Sequence, residues 1–529
     1  MTSFSRRGAC PALSAPMQTG DGLLVRINPL AGELAPNTLI GLCESAQRHG
    51  NGIVEVTARG SIQIRGLTAA SAGLLAEEVD SLGIAVRTGV PIDTSPLAGI
   101  DPEEIANPAP LAAAIRLTIA EAGLATRVGP KVSVVVDGRG QIELGAIMGD
   151  VRLVAVDGEH WRLSAAGDET SARLVGEFDA GAACVATLGI LRAIAALGRQ
   201  GRARDLSLET VRVATKGPEA SHSFPPPSVL PDISPTRGEI RPASAPALAG
   251  EAKHEASSGN VVLSTTDTVA ERTEAPKLPI SPLVGETSGR TEGGAKKRNL
   301  SSDAVSANDS NSEHSSATDS SPIGILPLTN GRIALGIALP FGSIDAATLI
   351  DFCIAATEHG ATGIRPAPSR TLLIMGLDRA AAATLTATAK TLGLVTSPTD
   401  PRIRIAACPG APACASGMIA ARDVAAEIAA DFGSGLDPTL SLHVSGCAKG
   451  CAHPGPAALT IVGDEKGAAF VVGGTAKGLP AAYTAGYEAA RGMGRLTKLL
   501  AQARKPDENA AACLARLGAK RLAQALAQE

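Results

Sequence analysis

Residues 38–67 read TLIGLCESAQRHGNGIVEVTARGSIQIRGL, and residues 348–377 read TLIDFCIAATEHGATGIRPAPSRTLLIMGL. At a constant offset of 310, Thr38 meets Thr348, Cys43 meets Cys353, His49 meets His359, and Gly66-Leu67 meet Gly376-Leu377. Gly32 and Gly342 extend the match upstream, and Arg59 corresponds to Arg370 with a one-residue slip. A run of identities at one spacing marks an internal duplication. In the first copy LLVRINP alternates apolar and polar residues, as a half-buried strand does. NTLIGLCESAQRHG has helical spacing and stops at Gly50, a residue type suited to a C-cap. GIVEVTA and SIQIRGL alternate again around a glycine turn and read as paired strands.

A second module follows each copy. The first runs from PLAAAIRLTIAEAGLA through KVSVVVDG to GDVRLVAVDG, and the other from Cys408 through LSLHVSG to ALTIVGDEKGAAFVV. Helices mixed with short antiparallel strands in two copies predict an α+β fold with pseudo-two-fold symmetry. Between the copies, residues 216–321 are rich in Pro, Ser, Glu, Thr and Gly, as in SFPPPSVLPDISPTRGEIRPASAP. Such a composition has too little apolar surface to offset its ordering entropy, so a disordered linker is expected there. The expected organisation is therefore 17–85 and 90–215, the linker, then 322–396 and 400–505, with a C-terminal helical tail at 506–529.

The chain has 529 residues, 44% hydrophobic and 19% charged with net charge −4, enough apolar material for several cores. Near-neutral charge and only 2% aromatic residues argue against a nucleic-acid binder. The N-terminus lacks the apolar stretch of a signal peptide. No apolar run reaches the ~18 residues of a membrane helix, since AGAACVATLGILRAIAALG is interrupted by Arg192 and reads as a buried helix. A cytoplasmic location is expected.

Nine cysteines are too few and too scattered for a secreted disulfide framework. Cys43 and Cys353 lie in helical patterns and read as small buried apolar residues. Four others cluster: Cys408 and Cys414 in AACPGAPACASG (406–417), then Cys447 and Cys451 in SGCAKGCAHPGP (445–456). The spacing is C-x5-C, thirty-two residues, C-x3-C. Zinc knuckles use two to four intervening residues, so x5 suits zinc poorly. Four thiolates without a well-placed histidine suit an iron–sulfur cluster, and the surrounding Gly and Pro let backbone wrap closely around an inorganic core. Four metal-free thiols are the plainer alternative.

This cysteine pattern, set after a repeated module, resembles the sirohaem-dependent nitrite and sulfite reductase superfamily. The resemblance implies duplicated ferredoxin-like and reductase-type modules, with Cys408, Cys414, Cys447 and Cys451 ligating a [4Fe–4S] cluster. The reductases surround their bound oxyanion with basic side chains. Here VTARGSIQ keeps Thr57, Arg59 and Gln63, but Glu55 stands at one anion-site arginine position and Val90 at another. GPKVSV keeps Lys131 and puts Ser133 where a second lysine belongs. A carboxylate and two neutral residues would stabilise a reacting oxyanion poorly.

Within the superfamily, RRGACPALSAPMQTGDGLLVRI (6–27) and the SGCAKGCAHPGP segment resemble the precorrin-3B synthase family. That resemblance implies an iron–sulfur monooxygenase converting precorrin-3A and O2 to precorrin-3B, a hydroxy-γ-lactone, in aerobic cobalamin synthesis. It implies a tetrapyrrole as substrate rather than as cofactor, and NADH as ultimate reductant. No dinucleotide-binding glycine motif is present, so a separate reductase or carrier is expected to deliver the electrons. It also allows a further iron, for which His453 is the candidate ligand. A sirohaem-dependent reductase, with sirohaem as cofactor, is the alternative.

A precorrin rim carries carboxylates, which call for Arg and Lys. Arg59 and Lys131 are the candidate catalytic cations. Arg59, Gln63, Arg65, Arg370 and Lys449 are the candidate substrate contacts, with Arg59, Gln63 and Arg65 expected on one face of a strand. Ordinary surface arginines and a solvated loop lysine are the plainer alternative. Asp93 and Asp101 read as turn and cap residues.

Overall fold

The protein is described here by a computed structural model covering residues 11–216, 321–432 and 439–527, together with the strand pair at 233–234 and 238–239. Four modules follow one another along the chain. The first comprises β1 (Met17–Thr19), β2 (Gly22–Ile27), α1 (Pro36–His49), β3 (Ile53–Val56), β4 (Ile62–Leu67) and α2 (Ala69–Ser81). The second holds β5 (Ile92–Asp93), α3 (Ala109–Glu121), β6 (Val134–Asp137), β7 (Gly149–Ala155), β8 (His160–Gly167), β9 (Arg173–Asp179), α4 (Ala180–Ala196) and α5 (Leu208–Thr215).

A separate unit, 218–312, contributes only the antiparallel pair β10 (Ile233–Ser234) and β11 (Gly238–Glu239) to the described residues. Of the linker expected over 216–321, residues 217–320 otherwise lie outside them.

The third module comprises β12 (Gly324–Pro327), β13 (Ile333–Ala338), β14 (Ser343–Asp345), α6 (Ala346–Glu358), β15 (Gly363–Ala367), β16 (Thr371–Leu377) and α7 (Arg379–Thr391). The fourth holds β17 (Ile405–Ala407), α8 (Ala421–Phe432), β18 (Leu442–Ser445), β19 (Ala457–Asp464), β20 (Gly467–Gly474), β21 (Ala482–Thr484), α9 (Ala489–Ala503) and α10 (Ala510–Leu526).

The duplication is visible in the sheets. The first sheet runs β1-β2-β4-β3 and the third module's runs β12-β13-β16-β15. Val54 pairs with Ile64, and Ile364 with Ile374, so even the register repeats. The second and fourth modules also share one order, β5-β6-β7-β8-β9 and β17-β18-β19-β20-β21. In both, the first three strands run parallel and the rest antiparallel. The fold is thus the duplicated α+β arrangement.

The copies are knitted together by exchange. β14 leaves its own module and pairs antiparallel with β3, giving the first sheet a fifth strand. One apolar core spans both copies and includes Leu39, Leu42, Leu349 and Phe352 of α1 and α6. Cys43 and Cys353 are fully buried in it. Burial pushes the Cys353 thiol up to about 12 and Cys43 higher still, so both are neutral apolar fillers. At the end of α1, Gly50 takes an extended backbone conformation, not the left-handed one of a common C-cap. Its glycine serves space instead, because a Cβ would strike the carbonyl of Arg65.

Candidate metal centre

The four clustered cysteines flank two adjacent parallel strands. β17 ends at Ala407, and Cys408 follows at once; β18 ends at Ser445, two residues before Cys447. Parallel strands that finish side by side deliver the loops after them to one place. The Gly446 N–H donates to Cys408 Sγ at 3.1 Å, and Ser445 Oγ donates to the Cys447 carbonyl at 2.7 Å. Lys449 Nζ donates to Ser416 Oγ, tying the second cysteine loop to the first.

Three glycines let these loops touch backbone to backbone. A Cβ on Gly446 would lie 2.7 Å from the Gly410 Cα, and one on Gly417 would lie 2.5 Å from the Ala411 N. Gly410 sits at φ +68°, where an L side chain is strained. Gly446→Ala should therefore push the two loops apart and sharply reduce the iron bound per purified chain; a full complement of iron in that variant would contradict this packing.

Cys451 is the most exposed of the four. Its thiol is held above the ordinary range by partial burial of the sulfur and then by the neighbouring Cys408, Cys447 and Cys414. Four mutually repelling thiols with a backbone N–H aimed at one sulfur suit a polynuclear cation core, which deprotonates and neutralises them together. Among the described residues, no three His, Cys, Asp or Glu side chains are arranged to hold one metal ion. The fit to a cluster rests on the four thiols carried by adjacent loops and on the Gly446 N–H aimed at the Cys408 sulfur. The second module holds the matching loop without thiols: Asp137 accepts from the Arg139 and Leu144 N–H groups at 2.9 and 3.1 Å.

The first module braces this centre. Arg65 makes a paired contact with Asp21 at 3.0 and 2.8 Å and donates to the carbonyl of Ala413, beside Cys414, at 3.2 Å. Burial opposes the Arg65 charge, but Asp21 and Glu55 outweigh it and hold the guanidinium above its ordinary range. Glu55, only 4% exposed, accepts from Gln63 and from Arg422 near the start of α8. Gln63 in turn accepts from Arg26 at 2.9 Å. Arg422 and Asp21 were not singled out from the sequence, because each matters only through a partner far along the chain.

The other candidate residues fall as follows. Arg59 is not on the strand with Gln63 and Arg65; it lies in the turn before β4, because Gly60 at φ +79° reverses the chain there. It pairs with Asp93 at 2.6 Å, donates to the Met148 carbonyl, and approaches Ser133 Oγ at 3.4 Å. Asp93 is accordingly a β5 residue with a charged partner, not a turn residue. Asp101 does cap a turn, accepting from the Glu103 N–H and from Gln141. Gln63 and Arg65 are buried with protein partners, and Arg59 does not join them on the single strand face expected for the three. Lys131 and Lys449 are exposed, and Arg59 remains 39% exposed.

The duplication brings two arginine turns together. Ser369 N donates to the Ala58 carbonyl at 3.0 Å, and a Cβ on Gly60 would meet the Ala367 backbone. Arg370 then reaches the carbonyl of Ala452, next to Cys451, at 3.2 Å. His453 Nε2 lies 3.1 Å from the Pro456 carbonyl, which fits an N–H donated to that oxygen.

Comparison with known proteins agrees with this architecture. Residues 15–82 match the nitrite/sulfite reductase ferredoxin-like half domain. The solved structure of the Mycobacterium tuberculosis NirA protein superposes with a TM-score of 0.62, covering 94% of this chain and 84% of NirA. At 16% identity that likeness speaks for the fold. A protein named precorrin-3B synthase from a Sinorhizobium species is 34% identical over 526 residues, 99% of this chain and 95% of the relative. With full-length identity at that level, and a reductase-type fold beneath it, the chain belongs to the precorrin-3B synthase family.

Proposed function

We propose that this enzyme hydroxylates precorrin-3A with O2 to give precorrin-3B, its hydroxy-γ-lactone, and that Cys408, Cys414, Cys447 and Cys451 hold a [4Fe–4S] cluster. One oxygen atom goes to the product and the other leaves as water, with NADH as the ultimate two-electron donor through a separate reductase or carrier. The bound cluster would supply those electrons singly. Arg59, Lys131 and Lys449 retain the exposure needed to meet carboxylates at the macrocycle rim, and Arg370 reaches the carbonyl of Ala452 beside Cys451.

The observation that carries this reading over the reductase alternative is Glu55. A reductase gathers cations where charge builds up on a small oxyanion. Here that position holds a buried carboxylate whose hydrogen bonds engage Gln63 and Arg422, with Arg65 at 3.7 Å. The surrounding positive charge is spent internally. Ser133, at the second lysine position that the resemblance implies, is buried with its N–H on Asp150. Chemically reduced enzyme should accordingly leave nitrite and sulfite unchanged while converting precorrin-3A in air. Bound sirohaem with rapid nitrite or sulfite reduction would establish the reductase instead. Among the described residues no helix is long and apolar enough to cross a membrane.

A further inference from the structure

His443, in the middle of β18, is fully buried, yet neither ring nitrogen has a hydrogen-bond partner. Whatever its charge, an imidazole carries at least one N–H, so the buried ring has a donor to place. Native proteins seldom leave a buried donor of this kind without a partner. Something outside the polypeptide is therefore expected to accept from it.

The strand pattern says what lies on that side. Leu442 and Val444 enter the fourth module's core, so His443 and Ser445 face the opposite way. In the neighbouring strand Ile405 and Ala407 enter the same core, which puts Ala406, the residue in register with His443, on the His443 face two residues before Cys408. Above the ring, Gly450 closes the loop between Cys447 and Cys451: a Cβ there would lie 3.6 Å from His443 Cε1. The His453 ring stands edge-on, 5.8 Å away between centroids. Thr460, opposite in register, is already committed to the Gly474 carbonyl.

We infer that the His443 N–H donates a hydrogen bond to a sulfur of the cluster held by the four cysteines, and that it thereby raises the cluster's tendency to accept an electron. This rests on the cluster reading above. Hydrogen bonds to cluster sulfurs favour the more negative, reduced state, and so set the reduction potential.

The test uses full-length protein purified without oxygen, with iron and acid-labile sulfide assayed in every sample. In a potentiometric titration followed by electron paramagnetic resonance, His443→Leu should lower the cluster's reduction equilibrium constant about tenfold, ~59 mV for one electron. His443→Gln, which keeps an N–H, should recover part of that loss. In wild-type protein grown with nitrogen-15 histidine, the reduced cluster should show a weak nitrogen coupling. An unchanged potential in a fully loaded His443→Leu variant would overturn the inference. So would loss of iron without sulfide, or a coupling strong enough for direct ligation. If neither variant folds, the absence of any nitrogen coupling in wild type overturns it. Wild-type protein without sulfide would instead sink the cluster reading itself.

Discussion

Replacing any one of Cys408, Cys414, Cys447 or Cys451 with Ser is expected to remove acid-labile sulfide and visible absorbance from the purified chain and to reduce turnover to background. Cys43→Ser and Cys353→Ser are expected to leave both in place. The four residues differ from the other two in where the fold puts them. Cys408 and Cys447 follow neighbouring parallel strands, and Cys414 and Cys451 lie in the two loops that Lys449 and Ser416 tie together. A hydroxyl in place of one thiolate gives the soft irons a harder, more basic ligand, and a four-point cradle rarely survives that exchange. Cys43 and Cys353 are walled into the core between α1 and α6, where their thiols stay protonated. Their replacement by Ser costs only the stability lost on burying a hydroxyl. Iron and sulfide assays on the six variants decide it, and stoichiometric zinc without sulfide in wild type would contradict the account.

Glu55→Leu is expected to cost about 3 kcal/mol of stability, at the low end of the ~3–5 kcal/mol seen when one partner of a buried ion pair is removed. Glu55 and Arg65 are nearly sealed from solvent, while the Arg422 side chain keeps 23% of its exposure and can partly rehydrate. Asp21 also continues to hold Arg65. Because Arg422 opens α8 directly beyond the first cysteine loop, the same change should loosen the cluster and lower iron retention. Glu55→Gln, which still accepts one hydrogen bond, should lose less. Urea unfolding of the metal-free variants gives the comparison; a loss below about 1 kcal/mol would mean that the carboxylate is not the hub of this network.

The duplication was legible because helix and strand periodicities survive in both copies, and the offset of 310 reappears as the pairing of Val54 with Ile64 and Ile364 with Ile374. The cysteine pattern stood out because it comes in two local pairs, and the fold sets the first cysteine of each pair just after one of two neighbouring parallel strands. What was hidden depends on distant pairing. The placement of Arg59 turns on a single left-handed glycine, which tips it off the strand and toward Asp93. Arg65 alternates correctly with Gln63, but alternation cannot show that Asp21 and Glu55 claim its charge from the far side. Nor could the sequence show β14 crossing to pair with β3, since Ser343–Asp345 is too short to carry a pattern. His443 could have been found: in LSLHVSG alternation puts it on the face opposite Leu442 and Val444, in the strand that leads into Cys447.

The most direct test of the proposed oxygenase chemistry is turnover of precorrin-3A by the purified, cluster-loaded chain under oxygen-18 gas, with reducing equivalents supplied and the product analysed by mass. The account predicts one labelled oxygen atom in the new hydroxyl of the hydroxy-γ-lactone and no product without O2. Efficient conversion under strict anaerobiosis, or label entering only from oxygen-18 water, would contradict it.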